Sequence, residues 1–168
     1  MKSTDLDYRW MKVKNGRLHL AVVNLNIVKN EIENLIIENY PKEEFCDNSI
    51  EVGENGWEDW KKGLRKGLEF ALSNSSDFWT ITINGLSGKP FMDTNPTIVG
   101  YTGILAFVEM TNTPIDEEIL QQLEAYVFRS WEGDNAEKVP DFNNLMIEEV
   151  VPVNLTGFKR LLGFITNK

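Results

Sequence analysis

Residues 18–28 constrain the fold most, because every second side chain along them belongs on one face of a β-strand. The residues on that face are His19, Ala21, Val23, Leu25 and Ile27. A strand that is mostly apolar on one face needs a second layer of structure to cover it. Asn15-Gly16, just before the strand, has the composition of a tight turn. We therefore expect a sheet that is covered on one side.

Residues 57–72 predict the covering layer, since their apolar residues recur every three to four positions, as on one face of an α-helix. These residues are Trp57, Trp60, Leu64, Leu68 and Ala71. Gly63 and Gly67 each cost about 1 kcal/mol relative to alanine inside a helix. Their presence indicates that another element packs closely against this helix.

The basic residues of this helix lie away from the apolar stripe; they are Lys61, Lys62, Arg65 and Lys66. We interpret them as a solvated helix face, on which Glu58 pairs with Lys62 and Glu69 with Arg65 at four-residue spacing. A phosphate-binding face is the alternative. Because the net charge of −9 repels a polyanion, we do not expect the chain to bind nucleic acid through this face.

Two further segments of the first half have weaker patterns. Residues 29–39 predict a helix, with a strand at residues 35–37 as the alternative. Residues 78–84 predict a strand, because they are rich in β-branched and aromatic residues. Residues 84–88 then indicate a turn, and residues 89–93 are expected to form the hairpin partner of that strand.

The second half begins with a clear helix signal, in which Asn95 is the N-cap and Pro96 is the first helical residue. This helix is expected to reach about Met110. Thr113-Pro114 repeats the signal, with carboxylates in the first turn of a helix that reaches Arg129. Those carboxylates belong to Asp116, Glu117 and Glu118, and the residues expected to be buried are Ile119, Leu123 and Val127.

The rest of the chain predicts a loop at residues 131–144, a strand at residues 145–153 and a short terminal helix. Strands and helices do not alternate regularly along the whole chain. We therefore expect an α+β fold, with several helices packed on a mainly antiparallel sheet, as a single domain over residues 1–168.

Residues 57–110 also have a predicted order of helix, strand, turn, strand and helix, with Asp93-Thr94 just before the last helix. In this order the segment, about a third of the chain, resembles the fourth domain of ribosomal translocation factors. The resemblance implies a ribosome- or RNA-associated module as one alternative function.

The chain contains one cysteine, Cys46, and one histidine, His19. An internal disulfide is therefore impossible, and a cysteine or paired-histidine zinc site lacks ligands. We expect no cofactor. Neither an export signal nor a run of about 18 apolar residues is present, so a cytoplasmic location and no membrane span are expected.

His19 and Asp93 are the candidates for catalysis, because histidine titrates near neutrality and Asp93 precedes a helix N-terminus. A small-molecule enzyme that uses these two residues is a second alternative function. The structural interpretation is favoured for both residues. It assigns His19 to a half-buried position on a strand and Asp93 to a turn or cap.

Acidic residues are concentrated in residues 109–149, which contain 11 acids and 2 bases. This segment alone therefore carries a charge of −9, which equals the net charge of the whole chain. Aromatic residues lie among these acids, and an apolar anchor ringed by carboxylates is typical of a surface that binds a cationic partner. The candidate partner-binding residues are Trp131, Glu132, Asp134, Glu137 and Asp141. The sequence therefore favours a non-catalytic protein that blocks a basic partner, such as an immunity protein or antitoxin that neutralises a nuclease. Solubility alone is the other explanation for the charge.

Overall fold

A six-stranded sheet and three α-helices make up the part of the chain that the computed structural model describes, residues 5–144. The strands are β1 (Asp5–Lys14), β2 (Arg17–Asn30), β3 (Leu35–Glu38), β4 (Phe45–Cys46), β5 (Ile50–Glu51) and β6 (Phe78–Gly88). The helices are α1 (Glu58–Ser73), α2 (Pro96–Thr111) and α3 (Glu117–Arg129), followed by a 3-10 helix at Gly133–Glu137. The predicted α+β fold with a mainly antiparallel sheet is confirmed.

Strands β1 and β2 form a long antiparallel hairpin whose turn is Asn15-Gly16, with φ angles of 52° and 76°. The predicted strand at residues 18–28 is confirmed, and its predicted inner face is buried. Strand β2 also pairs with β6, which gives the sheet a central pair of long strands. On its other edge, β6 pairs with β3 and then with β5.

The predicted turn at residues 84–88 and the hairpin partner at residues 89–93 were wrong. Strand β6 continues through Asn84 and Gly85 to Gly88. The register with β2 shifts there, from Leu25 opposite Ile83 to Asn24 opposite Gly85, so Asn84 is the extra residue of a β-bulge. Pairing along both edges of β6 outweighs the local turn preference of Asn-Gly.

The predicted helix at residues 29–39 was also wrong, and its alternative, a strand at residues 35–37, is confirmed as β3. This strand lies parallel to β6, with Ile36 opposite Ile81. Ile36 packs against the core, while Leu35 and Ile37 are exposed on the other face. Its β-branched residues suit a strand, and an available sheet edge decides between the two conformations.

Helices α1 and α2 cover one face of the sheet, and the close packing predicted at Gly63 and Gly67 is confirmed. A Cβ atom at Gly63 would collide with the backbone of Pro96 on α2, and a Cβ atom at Gly67 would collide with the backbone of Gly100. The predicted cap of α2 is also confirmed, since Oδ1 of Asn95 accepts a hydrogen bond from the backbone N–H of Ile98 at 3.0 Å.

The N-cap of α3 is Asp116, whose carboxylate accepts a hydrogen bond from the backbone N–H of Glu118 at 2.8 Å. The predicted start at Thr113-Pro114 was therefore three residues too early, because the hydroxyl of Thr113 is instead hydrogen-bonded to that of Thr111 at 2.7 Å. Leu123 and Val127 are buried as predicted. The strand predicted at residues 145–153 and the terminal helix lie outside the described residues. Within residues 5–144, no helix is long and apolar enough to cross a membrane.

Candidate functional site

A cleft of about 440 Å³ opens between the N-terminal end of α1, the turn that joins β6 to α2, and the 3-10 helix. We call it the tryptophan cleft. Its walls contain four aromatic side chains and three carboxylates, together with small and polar residues. The aromatic residues are Trp57, Trp60, Phe91 and Trp131, and the carboxylates belong to Glu58, Asp59 and Glu137.

The first wall belongs to the start of α1. Trp57 and Trp60 are three residues apart, so they lie on the same side of the helix, with ring centroids 4.8 Å apart. Trp57 occupies the N-cap position with a φ angle of 55°. Its indole N–H donates a hydrogen bond to the carboxylate of Glu44 at 2.5 Å. This bond orients the Trp57 ring at the mouth of the cleft.

The second wall is the turn between β6 and α2, which is anchored firmly to the sheet. The hydroxyl of Thr94 donates a hydrogen bond to the carbonyl of Leu20 on β2 at 2.5 Å and accepts one from the backbone N–H of Lys89 at 2.8 Å. Between these residues, Phe91 has a φ angle of 64°, in the left-handed region that bulky side chains rarely adopt. Its side chain is 83% exposed and forms an aromatic rim on the cleft.

The third wall follows α3 and is fixed by the buried amide of Asn95. Its nitrogen donates a hydrogen bond to the hydroxyl of Ser130 at 2.8 Å, while its oxygen caps α2. Both Asn95 and Ser130 are buried. Because Trp131 follows Ser130 directly, this pair of hydrogen bonds determines where the indole enters the cleft.

Trp131 is half-buried, rather than displayed on the surface as a fully exposed anchor. The guanidinium group of Arg17 lies 4.6 Å from the centroid of its ring, a cation–π contact. The indole Nε1 atom is buried and has no hydrogen-bond partner among the described residues. One aromatic group of the predicted site therefore already binds a guanidinium group of the same chain.

The predicted acidic residues are divided between the cleft and its surroundings. Glu137 lines the cleft and is exposed, and Glu132 is exposed next to Trp131. Asp141 is exposed and accepts hydrogen bonds from the backbone N–H groups of Asn143 and Asn144 at 3.1 and 3.3 Å. Asp134 lies within the 3-10 helix at Gly133–Glu137. Trp131 and Glu137 are thus the two predicted residues that the fold brings together in the cleft.

The solvated face predicted for the basic residues of α1 is confirmed at Lys62 and Lys66, which are exposed, but was wrong at Lys61. Lys61 is buried, with its ammonium group 2.8 Å from the carbonyl of Glu54, 3.4 Å from the carboxylate of Glu58 and 5.0 Å from the ring centroid of Tyr40. The charged end of the Lys61 side chain is therefore satisfied locally, beside the ring of Tyr40.

The ion pairs predicted on α1 were wrong as well. Arg65 binds Glu38 on β3 at 2.7 Å, and Lys66 binds Glu69 at 3.1 Å. The neighbouring strand β3 supplies the partner of Arg65, and the partner of Lys66 lies three residues further along the same helix. The surface that an RNA-associated module would use therefore has fewer available cations than the sequence indicated.

The candidate catalytic residues lie near each other, but outside the cleft. The backbone N–H of Leu20 donates a hydrogen bond to the carbonyl of Asp93 at 2.8 Å, which brings Asp93 close to His19. The His19 ring is 2% exposed and packs edge-to-face against Phe128, with ring centroids 5.1 Å apart. Burial lowers the pKa of His19. A group so enclosed cannot contact a dissolved substrate in this conformation.

Metal ligands are not grouped in the described part of the chain. Within residues 5–144, no three histidine, cysteine, aspartate or glutamate side chains are close enough to hold a metal ion. The free Cys46 is exposed on the short strand β4, away from the cleft lining.

Three aromatic residues of the cleft were missed as site residues by the sequence interpretation. Trp57 and Trp60 were assigned to an apolar stripe, and Phe91 fell within a predicted hairpin. The available signal was Phe91-Met92, an apolar pair within a stretch rich in glycine, proline and aspartate, where large apolar side chains have little to pack against. No protein-family model and no curated protein matches the chain, so the geometry of the cleft carries the functional inference.

Proposed function

We propose that this protein is a non-catalytic acidic binder that covers a basic partner protein, with residues 131–141 and the adjoining tryptophan cleft as the contact surface. The observation that carries the proposal is the combination of a half-buried Trp131 with Glu137 in the same cleft and with further exposed carboxylates along residues 131–141. Glu132, Glu137 and Asp141 are exposed, and among residues 5–144 none of the three forms an ion pair. Unpaired surface carboxylates attract a cationic partner and steer its approach.

The rest of the molecule supports the same function. The net charge of −9 repels polyanions and attracts basic proteins over a longer range than any single contact. Binding sites also combine aromatic anchors with charged groups, and the tryptophan cleft combines four aromatic side chains with three carboxylates among its described residues. An immunity protein or antitoxin that covers the positively charged active site of a nuclease is the specific form of binder that this chemistry suits.

The test compares capture of partners by the wild-type protein and by a charge-reversed variant that carries Glu132→Lys, Glu137→Lys and Asp141→Lys. Both proteins are immobilised and exposed to a lysate of the native cell. A control variant changes the net charge equally at exposed positions elsewhere, with Glu31→Lys, Glu33→Lys and Glu118→Lys. We expect a basic protein to bind the wild type and the control, and to be lost from the charge-reversed variant.

The captured partner is then purified, and its association rate is measured at increasing salt concentration. Electrostatic steering predicts a fall on the order of tenfold between low and physiological ionic strength. If the partner is a nuclease, adding the protein should abolish nuclease activity. Equal capture by all three proteins, or an association rate that does not respond to salt, contradicts the proposed function.

A further inference from the structure

The tryptophan cleft has a chemical selectivity that the acidic surface as a whole does not have. Four aromatic rings on three separate segments converge on it, and three carboxylates lie between them. Among the residues described by the structure, none that lines this cleft is basic. Aromatic faces carry partial negative charge, so rings and carboxylates together favour a cation with an apolar stem.

We infer that the tryptophan cleft binds one cationic side chain, an arginine, that projects from the basic partner. This inference rests on the proposed function for the source of the side chain. The cleft volume of about 440 Å³ is ample for a single long side chain. The residues that contact it are Trp57, Phe91 and Trp131 through their rings, and Glu58, Asp59 and Glu137 through their carboxylates.

Arginine fits this site because the chain already contains the same contact. The guanidinium group of Arg17 lies 4.6 Å from the ring centroid of Trp131, inside the roughly 6 Å range of cation–π attraction. Arg17 does not line the cleft. A planar guanidinium group can both stack on an indole and donate two hydrogen bonds to a carboxylate, whereas an ammonium group cannot stack.

An anion is the competing occupant. The N-termini of α1 and α2 both lie at the cleft, and helix N-termini attract negative charge. Polar side chains of the protein already offset the positive charge of these helix N-termini. Glu58 and Asp59 lie in the first turn of α1, and the side chain of Asn95 accepts the hydrogen bond from Ile98 at the start of α2. No side chain caps α1, but the carboxylates of Glu58 and Asp59 in its first turn would repel an added anion.

A side chain on a protein suits the cleft better than a free small molecule. The rim is formed by Phe91, which is 83% exposed, and it continues into Met92, which is 65% exposed. Phe91 lines the cleft but is mostly exposed, and Met92 does not line it, so a free ligand inside the cleft would leave most of this apolar area uncovered. A protein surface around the inserted arginine would cover both residues and remove apolar area from water.

The test uses the full-length protein and two short peptides, acetyl-Gly-Arg-Gly-amide and the same peptide with citrulline in place of arginine. Citrulline has nearly the same shape but no charge. Binding is followed by NMR through the indole N–H signals of the five tryptophans, assigned with single Trp→Phe variants. We expect the arginine peptide to shift the signals of Trp57 and Trp131 and to leave that of Trp79 in place. The citrulline peptide should bind at least tenfold more weakly.

Variants of the cleft separate its carboxylates from its rings. Glu137→Gln and Phe91→Asn change exposed side chains, so both variants should fold. Each is expected to weaken the binding of the arginine peptide about three- to tenfold. Glu118→Gln on α3, which does not line the cleft, is the matched control and should leave the affinity unchanged. Equal affinity for arginine and citrulline peptides, or equal effects of Glu137→Gln and Glu118→Gln, overturns the inference.

The two proposals can fail separately. If the arginine peptide binds as expected but no basic protein is captured from the lysate, the cleft is a cation site and the proposed function is wrong. If a basic protein is captured through residues 131–141 but the peptide does not shift the tryptophan signals, the proposed function is supported and the inference about the cleft is wrong.

Discussion

Gly67 on α1 lies directly against the backbone of Gly100 on α2, so the two helices meet at this point without a side chain between them. A Cβ atom added to Gly67 would lie 2.6 Å from the carbonyl carbon of Gly100, and one added to Gly100 would lie 2.5 Å from the carbonyl oxygen of Gly63. Both distances are shorter than the contacts that Cβ atoms make in folded proteins. The glycines therefore set the distance between the helices that cover the sheet.

Replacing Gly67 with alanine should destabilise the protein, although the helix propensity of alanine is about 1 kcal/mol more favourable than that of glycine. The collision with Gly100 forces the helices apart, and overpacking of this kind costs about 1–3 kcal/mol. We expect the free energy of unfolding, measured with urea, to fall in Gly67→Ala. Lys62→Ala on the exposed face of the same helix is the control and should stay within about 0.5 kcal/mol of the wild type. A Gly67→Ala protein as stable as that control would contradict the close packing.

The stability of the protein should fall in mild acid because of His19. Burial holds the pKa of this imidazole below its ordinary value of 6.5, which the unfolded chain retains. The imidazole is neutral in both states well above that value. As the pH falls below about 6.5, the unfolded chain takes up the proton first, so the free energy of unfolding decreases.

His19→Leu removes this titration and provides the comparison. Unfolding of both proteins by urea at pH 7.5, 6.5 and 5.5 should show a loss in the wild type that exceeds the loss in the variant, by at most about 1.4 kcal/mol per pH unit. If the two proteins lose stability in parallel over this range, His19 is not responsible.

Asn95 should contribute more than an ordinary helix cap, because its side chain makes hydrogen bonds in two directions. Asn95→Ala removes the acceptor for Ile98 and also the donor to Ser130, at buried positions. A lost cap costs about 1 kcal/mol, and a buried group left without its partner costs about 1–3 kcal/mol more. Asn95→Asp keeps the cap but loses the donor, so its stability should be intermediate. The exposed cap change Asp116→Ala should cost about 1 kcal/mol or less. Equal losses for Asn95→Ala and Asp116→Ala would rule out the second role.

Lys61 and Lys62 are neighbours with opposite environments, which makes them a matched pair. The side chain of Lys61 is 6% exposed and donates a hydrogen bond to the carbonyl of Glu54. Lys61→Ala should lower the free energy of unfolding by about 1–3 kcal/mol, because it leaves that carbonyl without a donor and a cavity beside Tyr40. Lys62→Ala should have little effect on the free energy of unfolding, because Lys62 is exposed. The comparison is made by urea unfolding, and similar values for the two variants would place Lys61 at the surface.

Phe91 should be dispensable for stability, because its side chain is mostly exposed and its backbone is strained. Asparagine tolerates the left-handed region better than phenylalanine, so Phe91→Asn should keep or raise the free energy of unfolding, by up to about 1 kcal/mol. Thermal and urea unfolding provide the measurement, with Met92→Asn as the neighbouring control. A marked loss of stability in Phe91→Asn would mean that this ring supports the fold rather than a ligand.

Several local elements were predictable because neighbouring residues determine them. The inner face of β2, the apolar stripe of α1 and the Asn95-Pro96 start of α2 all appear where the sequence placed them. Each depends on a periodicity or a capping bond that spans only a few residues. The need for close helix packing at Gly63 and Gly67 could also be inferred, although the partner helix could not.

The sequence by itself therefore determined which segments are amphipathic, where two helices begin, and that acidic and aromatic residues are mixed after α3. Only the tertiary structure decided that Asn84-Gly85 forms a bulge rather than a turn, that β3 is a strand, and that Lys61 is buried. It also decided that Trp57, Phe91 and Trp131, which are far apart in the chain, share one cleft. The physical reason is that sheet pairing and burial depend on contacts between distant residues, which outweigh local preferences of about 1 kcal/mol or less per residue.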